Sequence, residues 1–162
     1  MKHNPLPLDA FRTALLGLPV THVWRGYGSA LFVEFGTLHV TEQHDGSPGK
    51  PTGDLTLMIE WSWRIEKPRS ILGGSWSRER CWPGMFQKLL GGQVTDLQFI
   101  GHLNEIEVSL AHGLRIVSLM TAAGQPAWAL ICRTVPQGTL WVRQGRLHSD
   151  RTASHTTLAI TE

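Results

Sequence analysis

Arg64 and Glu66 stand two residues apart in the segment Trp61-Ser62-Trp63-Arg64-Ile65-Glu66, so a strand places both on one face. A guanidinium there suits bidentate anion binding, with Trp63 as a neighbouring wall. An ordinary exposed strand charge paired with Glu60 or Glu66 accounts for the same residues. Further on, Gly73-Gly74-Ser75-Trp76-Ser77 has the outline of a nucleophile elbow, but Ser77 stands where that motif requires glycine. A glycine bulge at a sheet edge fits it better. Gly46-Ser47-Pro48-Gly49-Lys50-Pro51 is a poor phosphate loop, because Pro51 replaces the hydroxyl that would reach magnesium. Cys81 lies between Arg80 and Trp82, where a guanidinium favours the thiolate, though no histidine is near in sequence. His102 and His112 flank a strand carrying Glu105 and Glu107, and His22, Glu34 and His39 form a parallel earlier set. Histidines at opposite ends of such a strand are about 20 Å apart, too far to share one ion. A site joining the two sets is left open; polar residues on a solvated face are the simpler reading.

The rest of the composition narrows the classes. Fifteen Lys and Arg against thirteen Asp and Glu leave a formal charge of +2, without the concentrated basic face that nucleic acid or an anionic membrane requires. Two cysteines far apart predict no disulfide framework and fit a reducing cytoplasm. No apolar run approaches membrane-spanning length and no secretory signal is visible. Seven tryptophans against one tyrosine are unusual; tryptophan suits cores and binding clefts alike, and core packing is the better reading for most of the seven.

The elements that would position these residues are mostly strands. Asp9 reads as the N-cap of a short helix closed by Gly17, and a second short helix over 85–90 closes at Gly91. Residues 55–65 alternate without a break, putting Leu55, Leu57, Ile59, Trp61, Trp63 and Ile65 on one face of one long strand. Residues 41–53 read as a mobile hairpin tip, and 139–147 as a single strand. A frayed tail is expected from His148 onward.

Residues 15–23 align without gaps onto 89–97, sharing Leu-Leu-Gly-x-x-Val-Thr-x-aliphatic, and the order of the following elements also matches. This predicts one globular domain over 1–150, built from pseudo-repeats at about 7–83 and 84–147, with 151–162 as a flexible tail. The fold class expected is mainly β with two short helices, the two β-meanders forming a sandwich or barrel about a pseudo-two-fold axis.

Leu15, Gly17 and Val20, then Trp63-Arg64-Ile65, Gly74-Ser75, and Gly91 and Val94 resemble the motifs of a group of small bacterial proteins without an established activity. In that group an acidic residue follows the Gly-Ser; here Trp76 and Ser77 stand in its place. The resemblance implies a fold and no chemistry.

These readings lead to a non-enzymatic binding or protein-interaction domain, of the kind toxin-immunity proteins exemplify. The binding residues are Trp61, Trp63, Arg64, Glu66, Ser75 and Trp76, with no catalytic residue, metal or cofactor assigned. Its partner is another protein, with no role for nucleic acid or membrane. One alternative is a small-molecule cavity lined by Trp61, Trp63, Trp128 or Trp141. A second is an enzyme built on Arg64, Glu60 or His22.

Overall fold

A computed structural model of the protein describes residues 7–123 and 127–150. Helix α1 (Pro7–Leu15) is followed by strands β1 (Val20–Arg25), β2 (Leu31–Phe35), β3 (Leu55–Ile59), β4 (Trp63–Glu66) and β5 (Ile71–Gly74). A single 3-10 turn (Glu79–Cys81) leads into α2 (Trp82–Leu89). Then come β6 (Val94–Ile100), β7 (Glu105–Leu110), β8 (Arg115–Ser118), β9 (Trp128–Cys132), β10 (Gly138–Arg143) and β11 (Arg146–Asp150). The architecture is mainly β with two short helices: two antiparallel sheets, ordered β1-β2-β3-β9-β10-β11 and β5-β4-β8-β7-β6. The proposed tail, 151–162, and part of the turn at 122–126 lie outside the described residues.

The internal repeat is present, but the halves do not form one sheet each. Each half sends its first three strands into one sheet and crosses to the other for the rest, so β3 pairs with β9 and β4 with β8. The helices cross over as well: α1 packs on β6, β9 and β10, and α2 on β1. Pseudo-two-fold symmetry is visible bond by bond where the edges of β1 and β6 meet. Gly17 N donates to Val94 O and Gly91 N to Val20 O, both at 2.8 Å; Val20 N donates to Gly92 O and Val94 N to Leu18 O, both at 2.9 Å. The bridge between Pro19 and Gln93 lies at the centre of this set. Gly17 and Gly91 close the two helices at φ +83° and +81°, a left-handed conformation that glycine enters without penalty. Each half then carries a register slip just after its Val, and Thr21 and Thr95 hydroxyls donate to Glu34 O and Ser109 O.

Several element boundaries differ from the sequence reading. Asp9 lies in the first turn of α1, where its charge complements the helix dipole, and the helix begins at Pro7. Helix α2 starts at Trp82 because Pro83 is tolerated in a first turn. Residues 139–147 fold as β10, a turn through Gln144 (φ 50°) and Gly145 (φ 70°), and β11, so His148 sits in a strand. The unbroken strand expected over 55–65 is two strands in different sheets. Glu60 N still bonds Ala127 O on the β9 side, whereas Ser62 O already accepts Leu119 N on the β8 side. Alternation therefore fails at Trp61, which is 44% exposed, while Leu55, Leu57, Ile59, Trp63 and Ile65 are all buried.

Inward rows from both sheets, with Phe11 and Leu15 of α1 and Trp82, Met85 and Leu89 of α2, form one hydrophobic cluster. Trp63 and Trp128 occupy equivalent places in it. Trp63 stands opposite Ser118, and Trp128 opposite Ile59. Each is buried, and their indoles donate to Ser29 O at 2.7 Å and Asn104 O at 2.8 Å, each in a hairpin turn of the opposite sheet. Trp63 therefore has a counterpart in the second half.

Candidate functional site

Three segments converge at one rim of the molecule: the β1–β2 turn, the crossover after β3, and the connection from β5 to α2. Trp63 organises them. Its indole holds Ser29 O, and its main-chain N and O are held by Ser75, with Trp63 N donating to Ser75 Oγ at 3.2 Å and Ser75 N to Trp63 O at 2.9 Å. Ser29 Oγ in turn donates to Trp61 O at 2.6 Å. Beneath lies an aromatic base in which Trp63 meets Trp82 edge-on at 5.3 Å and both adjoin Phe86. Arg25 lies over Trp82 at 4.5 Å, donates to Gly28 O at 2.6 Å and pairs with Glu79 at 3.0 Å, tying the first turn to the third segment. That pairing holds the Glu79 carboxyl below its usual range. On this fixed base three aromatic side chains project outward: Tyr27 fully exposed, Trp76 at 88% and Trp61 at 44%.

The six residues expected to bind are thus divided. Trp61 and Trp76 are exposed at the rim. Ser75 continues the β4–β5 pairing through its bonds to Trp63. Trp63 is a core residue, 1% exposed, and is no wall for a pocket. Arg64 and Glu66 lie on the outer face of the five-stranded sheet, joined at 2.6 Å. Tyr27 was missed because a turn residue between two glycines carries no signal of its own. Arg115, which donates to the second Glu66 oxygen at 3.1 Å, was missed because only the β4–β8 pairing brings it there.

The four tryptophans of the cavity alternative face three environments. Trp63 and Trp128 are in the core, Trp61 is at the rim, and Trp141 is on the outer face of the six-stranded sheet, stacked on His148 at 5.6 Å. Of the enzyme set, Arg64 is engaged by Glu66. Glu60 has no side-chain hydrogen bond among the described residues, and burial raises its carboxyl above the usual range. His22 stands opposite Glu34.

Glu34 is itself the most enclosed polar side chain, 0% exposed on the outer face of β2. Its carboxylate accepts Trp24 Nε1 at 3.0 Å, Gly53 N at 2.9 Å and the Thr56 hydroxyl, and Arg133 donates to Thr56 Oγ1 at 2.8 Å. No buried side-chain nitrogen or oxygen among the described residues lacks a partner.

The remaining motifs have structural roles. The loop around Lys50 folds back so that the ammonium lies 4.1 Å above Trp24, and Gly49 N bonds Thr41 O. Ser77 caps the edge of β5, accepting from Gly74 N. Glu105 accepts from the Ser118 hydroxyl and Met120 N, and His112 contacts Lys88 O. Among the described residues no three His, Cys, Asp or Glu side chains are placed to hold a metal ion, and no helix is long and apolar enough to cross a membrane.

No protein-family model, curated protein or solved structure matches the chain.

Proposed function

We propose that the protein is a non-enzymatic interaction module whose aromatic rim anchors another protein, in the manner of a toxin-immunity protein. The observation that carries this reading is the exposure of Trp76, Trp61 and Tyr27 around one rim whose backbone is pinned by Ser29, Trp63 and Ser75. Exposed tryptophans on a fixed base suit an interface: burying a nearly fully exposed one such as Trp76 removes about 150–250 Å² from water, worth about 4–6 kcal/mol before ordering costs, and the half-covered Trp61 contributes roughly half of that. Aromatic side chains of this kind dominate binding energy where they are central to an interface. The rim also carries Arg78, Glu79 and Arg80, a mixed-charge surround suited to a polar interface margin. Cys81 and Cys132 are free thiols, consistent with work in a reducing cytoplasm.

The test compares capture of a partner from the native cell by the parent chain and by Trp76→Ala and Trp61→Ala. Trp76→Ala is expected to keep the parent's urea midpoint, because that side chain is 88% exposed, and Trp61→Ala, whose ring is more than half covered, to lower it modestly while staying folded; both should lose at least tenfold in capture. Capture that survives both substitutions, with folding intact, would overturn the proposal.

A further inference from the structure

The outer face of the five-stranded sheet carries a second constellation, separate from the aromatic rim. Glu66 lies opposite Arg115 in the β4–β8 ladder, and Arg64 is two residues before it on the same face. One Glu66 oxygen takes Arg64 Nε at 2.6 Å and the other takes Arg115 Nε at 3.1 Å. Arg115 Nη2 also reaches Lys67 O at 3.3 Å. Glu66 thereby orients two planar guanidinium groups side by side while leaving both η nitrogens of Arg64, and Nη1 of Arg115, without a hydrogen-bond partner among the described residues. The β4–β5 turn brings Lys67 and Arg69 over the same place, and neither side chain has a polar partner among the described residues. Arg64, Glu66, Lys67, Arg69, Ile71 and Arg115 line a depression of about 300 Å³.

Charge accounting separates this place from an ordinary solvated face. Four cations and one carboxylate line it, an excess greater than the +2 of the whole chain. The other acids on this face have their own partners: Asp96 pairs with Arg12 at 2.7 Å, Glu105 accepts from the Ser118 hydroxyl and Met120 N, and Glu107, which keeps its charge, accepts Gln98 Nε2 at 3.0 Å. Burial raises the Glu66 carboxyl, and the bonds and charges of Arg64 and Arg115 more than reverse this, so it stays ionised and keeps both groups aligned. Architecture does not demand these charges. The register places Ala129, Ile131 and Thr56 at the equivalent positions of the six-stranded sheet.

We infer that this depression is an anion site for a phosphate group, either free or carried on a small organic molecule. The Nη1/Nη2 fork of Arg64 matches the oxygen spacing of a tetrahedral dianion, Arg115 adds a single Nη1 donor, and Lys67 and Arg69 supply further positive charge from above. The volume admits a phosphate with a substituent of a few heavy atoms, bounded on one side by Ile71.

The experiment is calorimetric titration of the whole chain with inorganic phosphate, a small phosphomonoester and sodium chloride, at matched ionic strength. Saturable binding of phosphate or the ester and none of chloride is expected. Arg64→Gln should weaken it at least tenfold, and Arg69→Gln, at an exposed turn residue that leaves the sheet untouched, about threefold. An ester that binds more tightly than phosphate identifies an organic ligand, and equal affinity identifies the free ion; either supports the site. No saturable heat with either anion, or affinity unchanged in both variants, overturns it. Because the rim residues are not involved, Trp76→Ala serves as a control that should bind phosphate like the parent.

Discussion

Replacing Glu34 by Gln tests how far a buried carboxylate stabilises this fold. Glu34 receives only donors: the Trp24 indole on one oxygen, and Gly53 N with the Thr56 hydroxyl on the other. A carboxamide keeps one acceptor. The less damaging orientation leaves its oxygen toward Gly53 and Thr56 and turns its NH₂ against the Trp24 N–H. One charge-assisted bond is then lost, at about 1.5–3 kcal/mol, and facing donors are stranded at a further 1–3 kcal/mol or so. Relief from burying a charge offsets part of this, leaving an expected net loss of about 2–4 kcal/mol. Urea unfolding should show a lower midpoint with an unchanged slope. Trp24→Phe keeps the stack on Phe32, seen at 3.9 Å, while removing the opposing donor. The double variant should therefore be more stable than the sum of the singles predicts, by about 1–2 kcal/mol. A Glu34→Gln loss below about 0.5 kcal/mol, or a coupling indistinguishable from zero, would refute this account of the network.

Three further outcomes follow from the geometry. Trp63→Phe and Trp128→Phe remove equivalent buried indole bonds and leave equivalent cavities, and should cost similar amounts, about 2–4 kcal/mol each by urea unfolding; a large inequality would contradict the symmetry. Glu66 and Glu60, at the end of β4 and at the crossover before it, should respond oppositely to acid, in stability measured against pH. Glu66 lies below its unfolded value of 4.5, so it contributes stability above that pH and loses it as pH falls through the lower folded value; Glu66→Gln should flatten the acid limb. Glu60 lies above 4.5 because it is buried, so its ionisation weakens the fold as pH rises through the folded value; Glu60→Gln should raise the urea midpoint at pH 7 and leave it unchanged below 4.5. Gly53→Ala should be among the most destabilising single-methyl additions, since its Cβ would run into the backbone of Phe35, which thermal unfolding would register directly.

What could be read in the sequence was set by inward-pointing residues. Val20 and Val94, Val33 and Val108, Ile65 and Leu130 occupy matching core places, and this regularity is what makes the repeat visible from order alone. The crossover was hidden because Trp61 continues an apolar alternation that extends from Leu55 to Ile65, and periodicity carries no mark of a change of sheet. Outward-pointing positions diverge between the halves: Glu34 against Ser109, Arg64 against Ala129, Glu66 against Ile131. The Glu34 network and the Arg64–Glu66–Arg115 cluster both occupy such positions. Their partners come from strands far along the chain, so local spacing identifies Arg64 and Glu66 as a pair and is silent on Arg115 and Arg133. For the same reason Trp63 read as a ligand wall, when its place opposite Ser118 makes it the twin of Trp128.

The exchange of strands between halves also governs how the chain reaches this state during synthesis. When the first half has left the ribosome, the β3 and β4 edges that will receive β9 and β8 are still unpaired, and Leu57 and Ile65 face no covering layer. At about 5–20 residues per second, the wait for the second half lasts several seconds. During that interval the nascent chain exposes two apolar strand edges, the surfaces most prone to pairing with another nascent copy.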